Sequence, residues 1–197
     1  MRRAFRRAGL AAWLLVLGPA CSCAPSVRMY VNPEADLAFY RKIAVLPFTD
    51  MSSVPQAGPR VTRAFVTELI LTDRFEIIQP EDFAGALHRQ GTFQGQDGTY
   101  DPDKLKDAAT QLGVTGILRG AVTEYQMSRS SDGGDIPVIA FDAELTDVAT
   151  GKVVWRSSIT KRGKGRVAVV GGGTRSLGKL TQEACQELVA QLRKRSI

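Results

Sequence analysis

The sequence predicts an α+β fold, an α/β sandwich with helices packed on a mixed β-sheet in the order β-α-β-α-α-β-β-β-α. Three observations carry this. A short apolar run, an amphipathic stretch and a second short run open the folded part as a βαβ beginning. Three strand-like stretches broken by turn residues follow, as in an antiparallel meander. A last long stretch repeats apolar residues at helical spacing.

The elements can be justified in order. Residues 42–48 (KIAVLPF) read as a buried strand ending at Pro47, and residues 50–59 as a Ser, Pro and Gly-rich loop. Pro59 suits a helix first turn, and Val61, Phe65, Val66, Leu69 and Ile70 then share one face. Residues 75–79 (FEIIQ) form a second strand. Pro80, Glu81 and Asp82 begin a second helix, with acids where the helix dipole favours them. Residues 91–100 are a loop, Asp101-Pro102 cap a third helix, and Gly113 stops it. Residues 114–127 form a long strand. Ile139, Phe141, Ala143 and Leu145 alternate with polar residues, and Thr150-Gly151 turn the chain into a strand over residues 152–159. Leu177, Leu180, Ala184, Leu188 and Leu192 mark the final helix, with Lys194 and Arg195 near its dipole-negative end.

The charge does not point to nucleic acid. The formal net charge of +6 includes Arg2, Arg3, Arg6 and Arg7, and falls to +2 without those four. These arginines head a targeting signal. Residues 10–17 (LAAWLLVL) are its apolar region, too short for a membrane-spanning helix of ~20 residues. Residues 1–20 are therefore read as signal, 21–40 as a tether with Pro25 and Pro33, and 41–197 as the folded domain. Ala20-Cys21 resembles the lipobox of bacterial lipoproteins, although Leu17 stands one place early and Pro19 is unusual there. Cys21 is the favoured lipidated residue and Cys23 the alternative; an ordinary secretory cut after Ala20 is the competing reading. By the same resemblance, Ser22 favours the outer membrane. Cys185, in the last helix, reads as a small buried apolar residue, so no disulfide framework is expected.

Candidate chemical sites are few. Residues 167–181 (VAVVGGGTRSLGKLT) approach a phosphate-binding loop, with Gly173, Gly178 and Lys179 in place. Leu180 stands where the Mg²⁺-binding hydroxyl belongs, and one helix is all that follows. A glycine-rich connection is the better reading. His88 lies on a solvated helix face and has no second histidine to share a metal. Asp142 and Glu144 share a strand face, where Lys152 or Arg156 would pair with them across the hairpin. Lys161, Arg162, Lys164 and Arg166 form a basic cluster suited to anionic headgroups, lipopolysaccharide or an acidic partner, with a solvated loop as the bland alternative. No catalytic, cofactor-binding or metal-binding residue is assigned.

The segments IAVLPF at Ile43, LTDRFEII at Leu71, EDFAGAL at Glu81, LGVTGILRGAVTEY at Leu112 and FDAELTDVATGKVVWRSS at Phe141 together resemble the CsgG family of curli secretion-channel subunits. Its relatives include the TolB amino-terminal domain and the LpoB-like outer-membrane lipoproteins that activate penicillin-binding proteins. The resemblance covers about residues 42–158 and implies a fold rather than a catalytic site. Curli-channel subunits carry two long membrane hairpins, of roughly 20 residues each. The corresponding links here, residues 128–135 and 160–176, are short or polar, which argues against the pore. The expected function is a non-enzymatic periplasmic lipoprotein, anchored to the outer membrane and acting as a CsgG-like envelope assembly or secretion accessory. The alternatives are an LpoB-like activator of a penicillin-binding protein and an oligomeric pore subunit. An envelope protein is the expected partner, self-association stays open, and no nucleic acid or cofactor is expected.

Overall fold

Residues 43–46 are apolar without alternation because both faces of their strand are covered. In the computed structural model, which describes residues 26–93, 95, 100–129, 134–163 and 176–196, this strand lies inside a seven-stranded mixed sheet. The strands are β1 (Ser26–Val31), β2 (Lys42–Val45), β3 (Thr49–Asp50), β4 (Glu76–Ile78), β5 (Gly116–Arg129), β6 (Asp135–Asp147) and β7 (Val153–Arg162). The helices are α1 (Ala57–Leu71), α2 (Pro80–Arg89), α3 (Pro102–Gln111) and α4 (Leu177–Arg195). The sheet order is β1-β7-β6-β5-β2-β4, with β3 also pairing β5. Contacts of β2 with β4 and β5 are parallel, whereas β5, β6, β7 and β1 form an antiparallel meander. This is the α+β architecture expected from the sequence.

The alternation of β2 divides two cores. Ile43 and Val45 join the larger one, which includes Val61, Phe65 and Leu69 of α1 and Leu180, Ala184 and Leu188 of α4. Ala44 and Leu46 join the smaller one, with Phe83 and Leu87 of α2 and Ala108 and Ala109 of α3. Local chemistry sets the helix ends. Asp101 accepts from the backbone N–H of Asp103 (2.9 Å) and Lys104 (3.3 Å) to start α3, and Gly113 takes φ +67° just beyond it.

Two strands exceed the expected order. Residues 21–40 were read as a tether, yet Ser26–Val31 form β1 along the outer edge of β7. Val27 and Val31 pack on the larger core, which repays ordering the strand. A 3-10 turn, Leu37–Phe39, follows, with Leu37 buried in that core. The tether as read from the sequence is therefore too long. The second addition, β3, continues β2 along β5: Leu46 N–H donates to Leu118 O and Met51 N–H to Val122 O. Pro47, without an N–H, stands at the break between them.

Phe48 lies at that break and is buried, tilted against Phe65 and Phe141 at centroid distances of 5.4 and 6.2 Å. Its N–H donates to Thr62 Oγ1 (2.8 Å), which in turn donates to Gly58 O. A Cβ at position 58 would strike the Phe48 carbonyl, and one at position 120 would strike both the Phe48 ring and Asp142 O.

The Asp147–Gly151 turn between β6 and β7 accounts for the most specific stretch of sequence. Asp147 Oδ1 accepts from Thr150 N–H and Thr150 Oγ1 (both 2.7 Å), and Gly151 takes φ +70°. Asp147 Oδ2 accepts from the Tyr40 hydroxyl (3.0 Å), which ties the turn to the start of β2. Burial would raise the Asp147 pKa, but hydrogen bonds from Thr150 and Tyr40 outweigh it and hold the carboxyl below its usual range. Burial, followed by the Asp147 hydrogen bond and charge, pushes the Tyr40 phenol up to about 12.

Gly58→Ala and Gly120→Ala are each expected to cost about 1–3 kcal/mol in urea unfolding, since the added methyl forces the backbone or the Phe48 ring to shift. Phe48→Leu in the same chain should relieve part of the cost at 120 and none at 58. The folded Tyr40 binds its proton more tightly than the unfolded one. Its contribution is therefore complete below pH ~10 and lost as the pH rises towards 12. Urea midpoints taken from pH 8 to 11.5 should fall less steeply in Tyr40→Phe than in the parent chain.

Candidate interaction surface

The meander turns one face to the larger core and the other away from α1 and α4. Phe141, Ala143 and Leu145 occupy the covered face, which places Asp142 and Glu144 on the other. Antiparallel pairing sets Arg119 of β5 and Arg156 of β7 on either side of Glu144. Arg119 Nε lies 2.6 Å from Glu144 Oε1, and Arg156 Nη1 lies 3.5 Å from Glu144 Oε2. The other Arg156 nitrogen, Nη2, reaches Asp142 Oδ2 at 3.1 Å. Asp142 Oδ1 also accepts from Ala121 N–H at 3.1 Å.

The carboxylates are committed to this network. Glu144 is 8% exposed, while Arg119 and Arg156 keep more than half of their side chains in solvent. The buried charge is thus paired on both sides, and its partners remain accessible. Tyr30 of β1 sits opposite Arg156 and is 52% exposed, and Arg28 lies opposite Ser158. An exposed tyrosine beside two arginines has the composition of a protein-binding surface. Arg156 is one of the two partners anticipated for Asp142 and Glu144. Arg119 lies 25 positions from Glu144 and is identified only by strand register.

The other sequence candidates are dispersed. Lys161 Nζ lies 3.2 Å from Glu187 and 3.9 Å from Glu183 of α4, so its charge is bound to the domain. Arg162 is exposed. Lys164, Arg166, Cys21 and Cys23 lie outside the described residues, as do residues 167–175 of the phosphate-loop-like stretch. Within the described part of that stretch, Ser176 caps α4 through Lys179 N–H, and Leu180 is 1% exposed in the larger core. The position that would hold a Mg²⁺-binding hydroxyl is thus a core residue. His88 is exposed, 5.0 Å from the Phe93 ring. Cys185 is fully buried, and that burial, with a smaller contribution from Glu68, pushes its thiol pKa up.

Among the described residues no group of His, Cys, Asp and Glu is placed to hold a metal, and no helix is long and apolar enough to cross a membrane. A cavity of about 330 Å³ includes Pro47, Pro59, Pro80, Thr62, Arg63 and Glu81 in its lining. The Thr62 hydroxyl there is already engaged by Phe48 and Gly58. This lining pairs no nucleophile with a base.

The family model described as peptidoglycan-synthase activator LpoB matches residues 59–160, from α1 to β7, and includes the whole charge network. Among solved structures, the chain is similar to the PelC dodecamer from Paraburkholderia phytofirmans (21% identity, 86% of this chain and 97% of that chain, TM-score 0.59). It is also similar to lipoprotein GNA1162 from Neisseria meningitidis (18% identity, 78% and 99%, TM-score 0.55). At these identities the likeness is one of fold. The comparison with curated proteins found no match.

The family match corrects the expected CsgG-like assembly or secretion accessory. What matches is the LpoB model, and the CsgG family is not supported. The stretches that carry the resemblance, residues 43–48 and 141–158, form buried strands and the tied Asp147–Gly151 turn, which the fold itself requires and which do not separate one family of this fold from another. The chain belongs to the LpoB family of peptidoglycan-synthase activators.

Proposed function

We propose that this chain is a periplasmic lipoprotein, anchored to the outer membrane, that activates a peptidoglycan synthase of the penicillin-binding-protein class by binding it. It carries out no chemistry of its own. The observation that carries this reading is the family match over residues 59–160. In keeping with it, the acidic residues that a sequence-based search would nominate for catalysis, Asp142 and Glu144, are held by arginines whose side chains stay more than half exposed. Arg119, Arg156 and Tyr30 are the residues through which an acidic patch of the synthase would be engaged, and lipid at Cys21, or alternatively Cys23, would hold the domain at the membrane.

The purified chain is expected to raise the rate of glycan-strand polymerisation by a penicillin-binding protein from the same cell several-fold. The double change Arg119→Glu, Arg156→Glu should abolish both binding and stimulation. The reversal leaves the nearly buried Glu144 beside like charge, at a cost of about 3–5 kcal/mol, so a melting curve must show the variant folded at the assay temperature, and the milder Arg156→Gln should weaken binding in the same direction. An unchanged polymerisation rate with every synthase of the cell would refute the proposal. Cys21→Ser should move the protein from the membrane fraction to the soluble periplasm. If Cys23→Ser does so instead, the anchor is at Cys23.

A further inference from the structure

We propose that the β5–β6 hairpin end of the sheet rests on the anionic surface of the membrane that holds the anchor. This rests on the lipoprotein reading above and adds an orientation to it. The argument begins with β1. Its residue Ser26 pairs with Thr160, Thr160 with Ala140, and Ala140 with Glu124. Beyond that level β5 and β6 continue for five residues, to the Arg129–Asp135 pair. At ~3.3 Å per residue the hairpin stands about 17 Å beyond Ser26.

The linker has nearly the same reach. Cys21 precedes Ser26 by five residues, so the link spans at most about 18 Å when fully extended. From Cys23 it spans about 11 Å. With the sheet upright, a lipid on either cysteine cannot enter the bilayer unless the hairpin end comes to the headgroups. Met127, 45% exposed near that end, and exposed Arg129 would meet the surface there.

At the hairpin end Arg129 stands opposite exposed Asp135, so the basic charge available to the surface comes from the neighbouring stretch. Between Asp147 and Glu183 the sequence contains no acidic residue, while Arg162, Lys164, Arg166, Arg175 and Lys179 fall within that interval. Arg162 ends β7, next to the level of Ser26, and Lys179 lies in the first turn of α4. Exposed Arg162, at the anchored end, complements phosphate-bearing headgroups, whereas the Tyr40–Asp147 end of the sheet lies at the far end of β5 and β6.

The test places one reporter at each end. In the lipidated mature chain carrying Cys23→Ser, Cys21 is acylated and Cys185 is buried, so Met127→Cys or Phe39→Cys supplies a single reactive thiol. Phe39 is 61% exposed and belongs to the 3-10 turn near the Tyr40 end. Each labelled protein is reconstituted into phosphatidylglycerol–phosphatidylcholine vesicles with a headgroup quencher, after its lipid is verified by mass. Strong quenching at 127 with little at 39 is the expected result. Equal quenching at both sites, or stronger quenching at 39, in a protein of correct lipidated mass overturns the orientation and leaves the anchor standing. A mature protein without lipid mass overturns the anchor and the orientation that rests on it.

A second measurement uses the full mature chain with Cys21→Ser and Cys23→Ser. It should co-sediment with phosphatidylglycerol vesicles, and Arg129, Arg162, Lys164 and Arg166 all changed to Gln should weaken this at least ~tenfold. Unchanged vesicle affinity, with loss instead of an acidic envelope protein crosslinked to the parent chain, would assign these charges to a protein partner and overturn the proposal.

Discussion

Phe48 can occupy the centre of the larger core only because positions 58 and 120 have no side chain. That exclusion fixes three elements relative to one another. The Phe48 backbone lies over the first turn of α1 at Gly58, its ring lies over β5 at Gly120, and its N–H is held by Thr62. The strand that begins at β2 can then resume as β3 along the same partner, although Pro47 interrupts the ladder. The ring also bridges helix and meander, since Phe65 of α1 and Phe141 of β6 lie against it and 6.4 Å from each other. The helical layer and the antiparallel half of the sheet thus share one aromatic cluster.

The elements with strong periodicity were legible in the sequence. The stripe of α4, the Asp101-Pro102 start of α3 and the alternation of β6 each appear as read, because local pattern and burial agree there. β1 was missed although its signal is present: Val27, Met29 and Val31 alternate with Arg28 and Tyr30. The flanking Pro25 and Pro33 and the nearby lipid motif made the stretch look like a linker. β3 has two residues and no periodicity to detect; it exists because β5 continues past β2.

The candidate surface was half legible for a related reason. A hairpin turn sets the neighbours of Asp142 and Glu144 on β7, so Arg156 could be anticipated. Pairing with β5 passes through a register shift between Val122 and Glu124, which no local pattern encodes. The same limit hid the Tyr40–Asp147 hydrogen bond, whose partners lie 107 positions apart. The conspicuous glycine and lysine cluster near the C-terminus approaches a phosphate-binding loop only in part, and its described part does ordinary structural work: Ser176 starts a helix and Leu180 fills the core.

The network around Glu144 links stability and binding in a specific way. A carboxylate 8% exposed gains little from its partners while they remain half in water, because solvent screens the attraction. A protein that covered Arg119 and Arg156 would remove that screening and strengthen their hold on Glu144, but it would also remove water from two guanidinium groups. With Glu144 and Asp142 already present, only part of that positive charge needs a new partner. A docking surface with a few well-placed carboxylates or carbonyls would satisfy the remaining donors, whereas a purely apolar one would leave them unpaired. The network therefore selects against nonspecific hydrophobic association on this face and favours a partner of matching polarity.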